Sequence, residues 1–195
     1  MRSKTLPITI YLSVLFLFTV PFAVADHSAD RKTEGVQAQS APIPPPDTSS
    51  AELNRIKALE GKWKSITSMF GKENEEVFTE YKVTAGGSAV LETIFPGTPQ
   101  EMVSVYFDND QGKLAMTHYC IMRNRPHFSL VESMKNEIKL DVTKVAGLKS
   151  KDAPSMGAIT LKFKDEDHFS STCDSRGKVE PKQEPMTMHF TRVKG

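Results

Sequence analysis

Two side chains with metal-binding and nucleophilic chemistry, His118 and Cys120, lie two positions apart in the sequence. They belong to the run Leu-Ala-Met-Thr-His-Tyr-Cys, whose composition is typical of a β-strand. Alternate residues of a strand point to the same face, so His118 and Cys120 would share a largely apolar face with Met116. Imidazole nitrogen and sulfur both bind transition metals and haem iron, so a metal or haem site is one hypothesis for this face.

The other histidines and cysteines add little to that hypothesis. Zinc sites use at least three protein ligands, and neither Cys-x-x-Cys nor His-x-x-x-His spacing occurs. The five histidines are scattered, at positions 27, 118, 127, 168 and 189. If haem is bound, His118 or His189 is the candidate axial ligand. The alternative, which we expect, is a hydrogen-bonded barrel histidine in a protein without a cofactor.

A Cys–His nucleophile is the weakest hypothesis for the same pair. Residues i and i+2 of a strand stand roughly 7 Å apart along it. That separation is too long for the direct contact by which a base activates a thiol. No third, orienting group can be identified, so we expect no catalytic residue and favour binding over enzyme activity.

Cys120 and Cys173 are the only cysteines in the chain. Export would make a disulfide chemically allowed. In a simple antiparallel meander their strands are about four apart, which places the two thiols across a barrel rather than side by side. We therefore favour free, buried thiols, with a bridge through a narrow interior as the alternative.

Methionine, tyrosine and arginine side chains complete the set of candidate ligand-binding residues. Flexible thioethers adapt to irregular apolar ligands, although they also simply fill cores. Two arginines flank Asn124 after the strand that carries His118, and their guanidinium groups could bind a carboxylate or phosphate at a barrel rim. Surface arginines in turns more often remain solvated. The candidate interior and rim residues are His118, Cys120, Met116, Tyr106, Met188, Arg123 and Arg125.

A β-hairpin over residues 101–120 would position this face. Two strand-like runs flank the turn Asn109-Asp-Gln-Gly112, which is a hairpin signal. A one-residue slip in register would reverse every side chain, so this turn predicts that His118 faces the interior while Tyr119 does not.

Strand-like runs separated by Gly, Pro, Asn and Asp turns continue on both sides of the hairpin. No helical pattern is long enough for parallel crossovers. The spacing suits a sandwich or a barrel, and an antiparallel barrel is the simplest closure because it leaves no exposed edge. We predict an all-β, up-and-down barrel of about 8–10 strands with a short N-terminal helix. The predicted strands are 61–70, 75–84, 88–95, 101–108, 113–120, 125–134, 137–145, 157–164, 168–174 and 186–193.

Two longer connections, 146–156 and 174–185, would frame a polar entrance if they lie at the same end of the barrel. The number of strands between them decides this, and strand boundaries taken from sequence are too imprecise to count them.

The N-terminal region predicts export. Arg2 and Lys4 precede an apolar stretch from Leu6 to Val20, and Ala23-Val24-Ala25 has the small residues that a signal peptidase requires. About 15 apolar residues are too few for the ~20 that span a bilayer. We therefore predict a signal peptide over residues 1–25, and a periplasmic or extracellular location without stable membrane insertion.

A Pro-rich, disordered linker is predicted over residues 26–50, because this segment has almost no large apolar residue to bury. The barrel domain would follow over residues 51–195, beginning with a helix for which Ser49 is the predicted N-cap. The formal net charge of +1 would become −1 after loss of Arg2 and Lys4. A balanced charge of this kind does not indicate a nucleic-acid partner.

Three features in order, namely the short helix, Gly61-Lys62-Trp63 opening the first strand and Arg192 in the last strand, resemble the lipocalin and calycin barrels. The resemblance implies that Trp63 closes one barrel end and packs against a basic residue from near the C-terminus, for which Arg192 is the candidate. The string Tyr-Lys-Val-Thr-Ala-Gly-Gly-Ser-Ala-Val-Leu-Glu-Thr-Ile-Phe-Pro-Gly-Thr-Pro from Tyr81, followed later by Thr-His-Tyr-Cys, is similar to exported bacterial lipocalin-like proteins of unassigned function. The resemblance covers about residues 52–195 and implies a fold rather than an activity.

Three functional hypotheses follow. The leading one is an exported barrel that binds a small apolar or amphipathic ligand. The second is a haem-binding barrel that handles a small oxidant. The third is a structural or interaction module whose barrel is filled by side chains.

Overall fold

Ten antiparallel strands close into an up-and-down barrel that follows one short helix. The computed structural model describes residues 45–71, 73–178 and 184–194. Each strand pairs with its neighbours in the chain, and β1 also pairs with β10, so every strand has two partners. The elements are α1 Ala51–Lys57, β1 Gly61–Thr67, β2 Glu75–Thr84, β3 Ala89–Ile94, β4 Met102–Asp108, β5 Leu114–Tyr119, β6 Arg125–Met134, β7 Glu137–Ala146, β8 Ser155–Asp165, β9 His168–Arg176 and β10 Met186–Arg192.

The predicted fold class is confirmed, and the strand number is at the upper end of the predicted range. β2 and β6 have the predicted bounds, and the others differ at their ends. β1 stops at Thr67, short of the predicted residue 70, because a 3₁₀ turn begins at Met69. Turn chemistry and alternation were therefore sufficient to locate every strand.

The central hairpin has the predicted register. Asn109 accepts a hydrogen bond from the Gly112 amide at 2.8 Å, and Gly112 has a φ of 67°, which glycine adopts without strain. His118 is 1% exposed and Tyr119 is 50% exposed. The prediction that His118 faces the interior is confirmed.

The N-cap of α1 is Ser50, so the prediction of Ser49 was wrong. The Ser50 hydroxyl accepts from the Leu53 amide at 3.0 Å and donates to the Asp108 carboxylate at 2.7 Å. Asp108 ends β4, and its second oxygen also accepts from the Ser50 amide at 2.6 Å. This tertiary contact selects between two adjacent serines that are chemically equivalent in the sequence.

The last residues of the predicted linker contact the barrel. Asp47 forms an ion pair with Lys57, and Ser49 accepts a hydrogen bond from the same ammonium group at 2.7 Å. The predicted signal peptide and residues 26–44 of the linker lie outside the described residues. Within the described residues, no helix is long and apolar enough to cross a bilayer.

The two ends of the barrel differ. We call the end that carries α1 and the turn at Asn109 the helix end. The opposite end, which we call the loop end, carries the connections β5–β6, β7–β8 and β9–β10. The two long connections noted in the sequence therefore lie at the same end, as an entrance requires.

Aromatic rings close the helix end. Trp63 is fully buried, and its ring contacts Phe169 edge-on with centroids 4.7 Å apart. Phe169 in turn stacks on Phe190 at 4.5 Å. The Trp63 indole nitrogen donates to the Leu59 carbonyl at 2.7 Å, which satisfies its polar atom inside the core.

Arg192 covers the rings of Trp63, Phe169 and Phe190, which we call the aromatic plug, from outside. Its guanidinium carbon lies 4.2 Å from the Trp63 ring centre, and it donates to the carbonyls of Ala58 and Glu60 at 2.9 and 2.7 Å. Gly61 has a φ of 122°, and a Cβ there would lie 3.3 Å from an arginine nitrogen. The Trp63–Arg192 contact implied by the lipocalin resemblance is thus present, and a glycine is required beside it.

Candidate functional site

A row of four polar side chains crosses the barrel interior. Tyr81 on β2 pairs with Glu92 on β3, Glu92 pairs with Ser104 on β4, and Ser104 pairs with His118 on β5. Directly paired residues of adjacent strands point to the same face. The exposed fraction of each of the four is at most 7%. The register of three consecutive strand pairs therefore brings these groups together, although they are far apart in the chain.

Glu92 is the centre of this polar row. Its two carboxylate oxygens accept hydrogen bonds from the hydroxyls of Tyr81 at 2.6 Å and Tyr106 at 3.1 Å. Burial raises the pKa of the Glu92 carboxyl, while hydrogen bonds from Tyr81, Ser104 and Tyr106 oppose that rise. Burial also raises the pKa of both tyrosines well above the usual value, and the Glu92 charge adds to this effect. Both phenols therefore remain hydrogen-bond donors at neutral pH.

His118 is a neutral hydrogen-bonded base at neutral pH. Burial lowers its pKa to about 4. The Ser104 hydroxyl lies 3.0 Å from Nδ1 of His118 and also hydrogen bonds to Glu92. Ser104 has a single proton, so if it donates to Glu92 it accepts from Nδ1–H of the histidine, and in that tautomer Nε2 carries the free lone pair.

Thr79 provides a further polar atom in the interior. It lies two residues before Tyr81 on β2 and is 1% exposed. Its hydroxyl oxygen has no hydrogen-bond partner among the described residues. An unpaired buried hydroxyl costs free energy.

Four of the predicted ligand-binding residues lie in the interior. Met116 and Tyr106 pair across β4 and β5 in the row next to His118, and Met188 is buried on β10. Tyr106 joins the polar cluster through Glu92. His118, Met116, Tyr106 and Met188 are therefore all among the buried side chains of the barrel.

The structure does not bring the remaining predicted residues to this cluster. Arg123 and Arg125 are exposed at the β5–β6 turn of the loop end. His189 is exposed on the outer face of β10, between the buried Met188 and Phe190. Its side chain points away from the interior, so of the two candidate axial ligands only His118 lies inside the barrel.

The two cysteines are free and half-buried near the loop end. The prediction of free thiols is confirmed, although neither thiol is fully buried. Burial raises the pKa of the Cys173 thiol to about 12, with further contributions from the nearby Asp174 and Cys120. A thiol that remains protonated is a poor nucleophile. Among the described residues, no group of three or more His, Cys, Asp or Glu side chains could hold a metal ion.

Sequence reasoning missed Glu92, Tyr81 and Ser104. Glu92 alternates with Val90 and Ile94, so a carboxylate occurs on an apolar strand face, and this was a usable signal. The pairing of Tyr81 and Ser104 with Glu92 had no comparable signal, because the sequence of a single strand does not determine its register against the next strand.

A groove of about 580 Å³ lies at the helix end, away from this cluster. The turn between β6 and β7 and parts of β8, β9 and β10 line it, with Phe163 and Phe169 beside Lys162 and Lys164. Neither Glu92 nor His118 lines it, so it is not an entrance to the polar row.

The fold and the site together define a closed antiparallel barrel with a buried polar cluster. No known family model matches the chain, and no curated protein matches it significantly.

Proposed function

We propose that the protein is an exported, lipocalin-like barrel that binds a small amphipathic ligand in its interior. The observation that carries this proposal is the buried polar row of Tyr81, Glu92, Ser104 and His118.

A barrel that is only a filled structural core has no need of such a row. Burying a carboxylate and an imidazole costs free energy even when both are hydrogen bonded. Perturbed titratable groups that cluster in an enclosed space are more typical of binding and catalytic sites. Glu92 and His118 both have perturbed pKa values, and they share Ser104 as a partner.

The free atoms of the cluster suggest the polar end of the ligand. In the tautomer with Nδ1 protonated, His118 Nε2 accepts a hydrogen bond, and the unpaired Thr79 hydroxyl accepts or donates one. A ligand hydroxyl or N–H group would complement them. Most of the remaining buried interior is apolar, apart from Ser65 and Thr67 on β1, and would contact a hydrocarbon or aromatic portion of the ligand. The apolar part includes Phe128, Leu140, Ile159 and Met188.

The number of strands is compatible with a barrel that holds such a ligand. Barrel diameter increases with strand number, and barrels of about eight strands already hold one small ligand in some families. The aromatic plug and α1 close the helix end, so entry would be from the loop end. The arrangement of Gly61, Trp63 and Arg192 supports the lipocalin-like assignment, and the predicted leader peptide supports export.

Native mass spectrometry of the purified chain tests the proposal, with two histidine variants for comparison. His118→Phe removes the interior imidazole. His127→Phe is a matched control, because Nδ1 of His127 bonds to the Thr117 hydroxyl at 2.9 Å in the same way but outside the interior cluster. We expect a bound small molecule in the wild type and in His127→Phe, and reduced occupancy in His118→Phe.

Two results would contradict the proposal. One is a wild-type protein that carries no small molecule and takes up none from a lipid extract. The other is equal occupancy in both histidine variants. An absorption spectrum of the same preparation identifies haem if haem is the bound molecule.

A further inference from the structure

The turn between β5 and β6 exposes apolar side chains at the loop end. Ile121 and Met122 are 40% and 50% exposed, and the adjacent Tyr119 is 50% exposed. Three of the four consecutive positions 119–122 thus present large apolar groups to solvent. The turn holds five residues, 120–124, fewer than the roughly 20–30 residues that each side of a standard protein–protein interface contributes.

Basic residues surround this apolar turn. Arg123 and Arg125 follow it directly in the chain and are exposed. The neighbouring connections β7–β8 and β9–β10 add further exposed cations, which are Lys149, Lys151, Arg176 and Lys178. The acidic groups in these segments are Asp152, which pairs with Lys178 at 3.2 Å, Asp174, Glu180 and Glu184, of which Glu180 lies outside the described residues. Among the described residues, six cations against three acidic groups make this side of the loop end net positive, whereas Glu73 and Glu101 lie in the connections on the other side.

The three connections on the positive side are packed together. A Cβ at Gly147 would lie 2.8 Å from the Arg123 carbonyl oxygen, so β7–β8 approaches the apolar turn as closely as glycine permits. The Asn124 side chain donates to the Pro154 carbonyl at 3.1 Å, and the Lys178 amide donates to the Asp152 carbonyl at 2.9 Å. The apolar turn and the surrounding cations therefore form one continuous surface, which we call the basic rim.

We propose that the basic rim docks reversibly on an anionic lipid surface, with Tyr119, Ile121 and Met122 entering the interfacial region. Aromatic and aliphatic side chains partition to the membrane interface, and nearby arginine and lysine side chains bind anionic headgroups. The apolar turn and the cations lie on one surface, so apolar insertion and electrostatic attraction to the headgroups both favour binding of the same face to the membrane. The docking is peripheral and requires no membrane-spanning segment.

This inference does not depend on the proposed interior ligand, because docking can be measured without one. If both hold, the mouth of the barrel would face the bilayer, and an amphipathic ligand could pass between the two. Failure of docking would leave the ligand-binding proposal untouched, and failure of ligand binding would leave docking untouched.

Vesicle co-sedimentation tests the docking. The chain from Asp26 onward contains every described element and lacks the apolar leader, which would bind lipid by itself. The rim variant is Ile121→Ser, Met122→Ser, Arg123→Gln and Arg125→Gln. The control variant makes matched changes away from the rim, Val131→Ser, Met134→Ser, Lys113→Gln and Lys135→Gln, at exposed positions.

We expect the wild type and the control variant to bind vesicles of phosphatidylcholine with phosphatidylglycerol, and to bind pure phosphatidylcholine much less. The rim variant should bind the anionic vesicles at least about tenfold more weakly, given the contribution of each arginine near an anionic surface. Added salt should weaken wild-type binding. Absence of wild-type binding, or equal binding by the rim and control variants, would overturn the proposal.

A fluorescence measurement locates the contact. Trp63 is fully buried and gives a constant background. A Met122→Trp variant should shift its emission to shorter wavelength on addition of anionic vesicles, whereas Val131→Trp should not. A shift in Val131→Trp without one in Met122→Trp would place the contact elsewhere and overturn the assignment to the rim.

Discussion

The Ser104 hydroxyl oxygen lies 3.0 Å from Nδ1 of His118, and the two residues are direct partners in β4 and β5. On its other side Ser104 pairs with Glu92. One hydroxyl therefore connects a buried acid to a buried base, so a change in the protonation of either group alters the hydrogen bonds of the other.

Stability between pH 7 and pH 4 should fall because of His118. Its folded-state pKa of about 4 is below the ordinary value of 6.5, so the folded protein binds this proton less tightly than the unfolded chain. The stability that the neutral His118 imidazole contributes to the fold is therefore fully present above pH 6.5 and is lost as the pH falls towards 4. This lowering of the His118 pKa corresponds to a loss of at most roughly 3 kcal/mol in the free energy of unfolding.

Urea unfolding of the wild type and of His118→Phe at several pH values measures this contribution. The wild type should lose more stability on acidification than the variant. Glu92, whose pKa is raised, has the opposite sign and is present in both proteins, so the comparison isolates His118 to first order. Parallel pH profiles would show that His118 is not the buried neutral base described above.

Replacing Glu92 should show how far the interior depends on its hydrogen bonds. Glu92→Gln preserves the shape and one acceptor oxygen, whereas Glu92→Ala leaves the Tyr81 and Tyr106 hydroxyls without their acceptor. We expect the alanine variant to be less stable than the glutamine variant by about 1–3 kcal/mol. Equal stability of the two variants in urea would mean that the tyrosine hydroxyls find other partners.

Trp63→Ala should be the most destabilising single truncation in the barrel. Removing a fully buried aromatic residue costs about 3–5 kcal/mol, a large share of the stability of a domain. Trp63→Phe retains an aromatic ring next to Phe169 and should lose less. A Trp63→Ala protein with wild-type stability would remove the main support for the lipocalin-like assignment.

Two truncations of the N-terminal segment should distinguish the effect of the linker on stability from the effect of the α1 N-cap. Starting the chain at residue 45 removes the polar, Pro-rich sequence and should leave the thermal midpoint unchanged. Starting it at Ala51 also removes Ser50, which caps α1 and bonds to Asp108, and should cost about 1–2 kcal/mol. A large loss on the first truncation would show that residues before 45 stabilise the barrel.

The strand positions and the register of one hairpin were predictable from the sequence. Period-two alternation and turn residues are local properties, so β2 and β6 could be located to the residue. The turn at Asn109 to Gly112 joins β4 and β5 directly, which is why the interior position of His118 was predictable. The resemblance of Gly61-Lys62-Trp63 to the lipocalin barrels implied which residue closes the helix end.

Contacts between interior side chains on different strands were not predictable from the sequence. The acid, the base and their hydroxyl partner are on three strands, and their contact depends on the register between β3 and β4, whose connection from Phe95 to Glu101 has no simple hairpin turn. The cap of α1 depended on Asp108, 58 residues further along the chain, for the same reason. Barrel closure sets these long-range pairings together, because the register of each strand pair constrains the next around the ring.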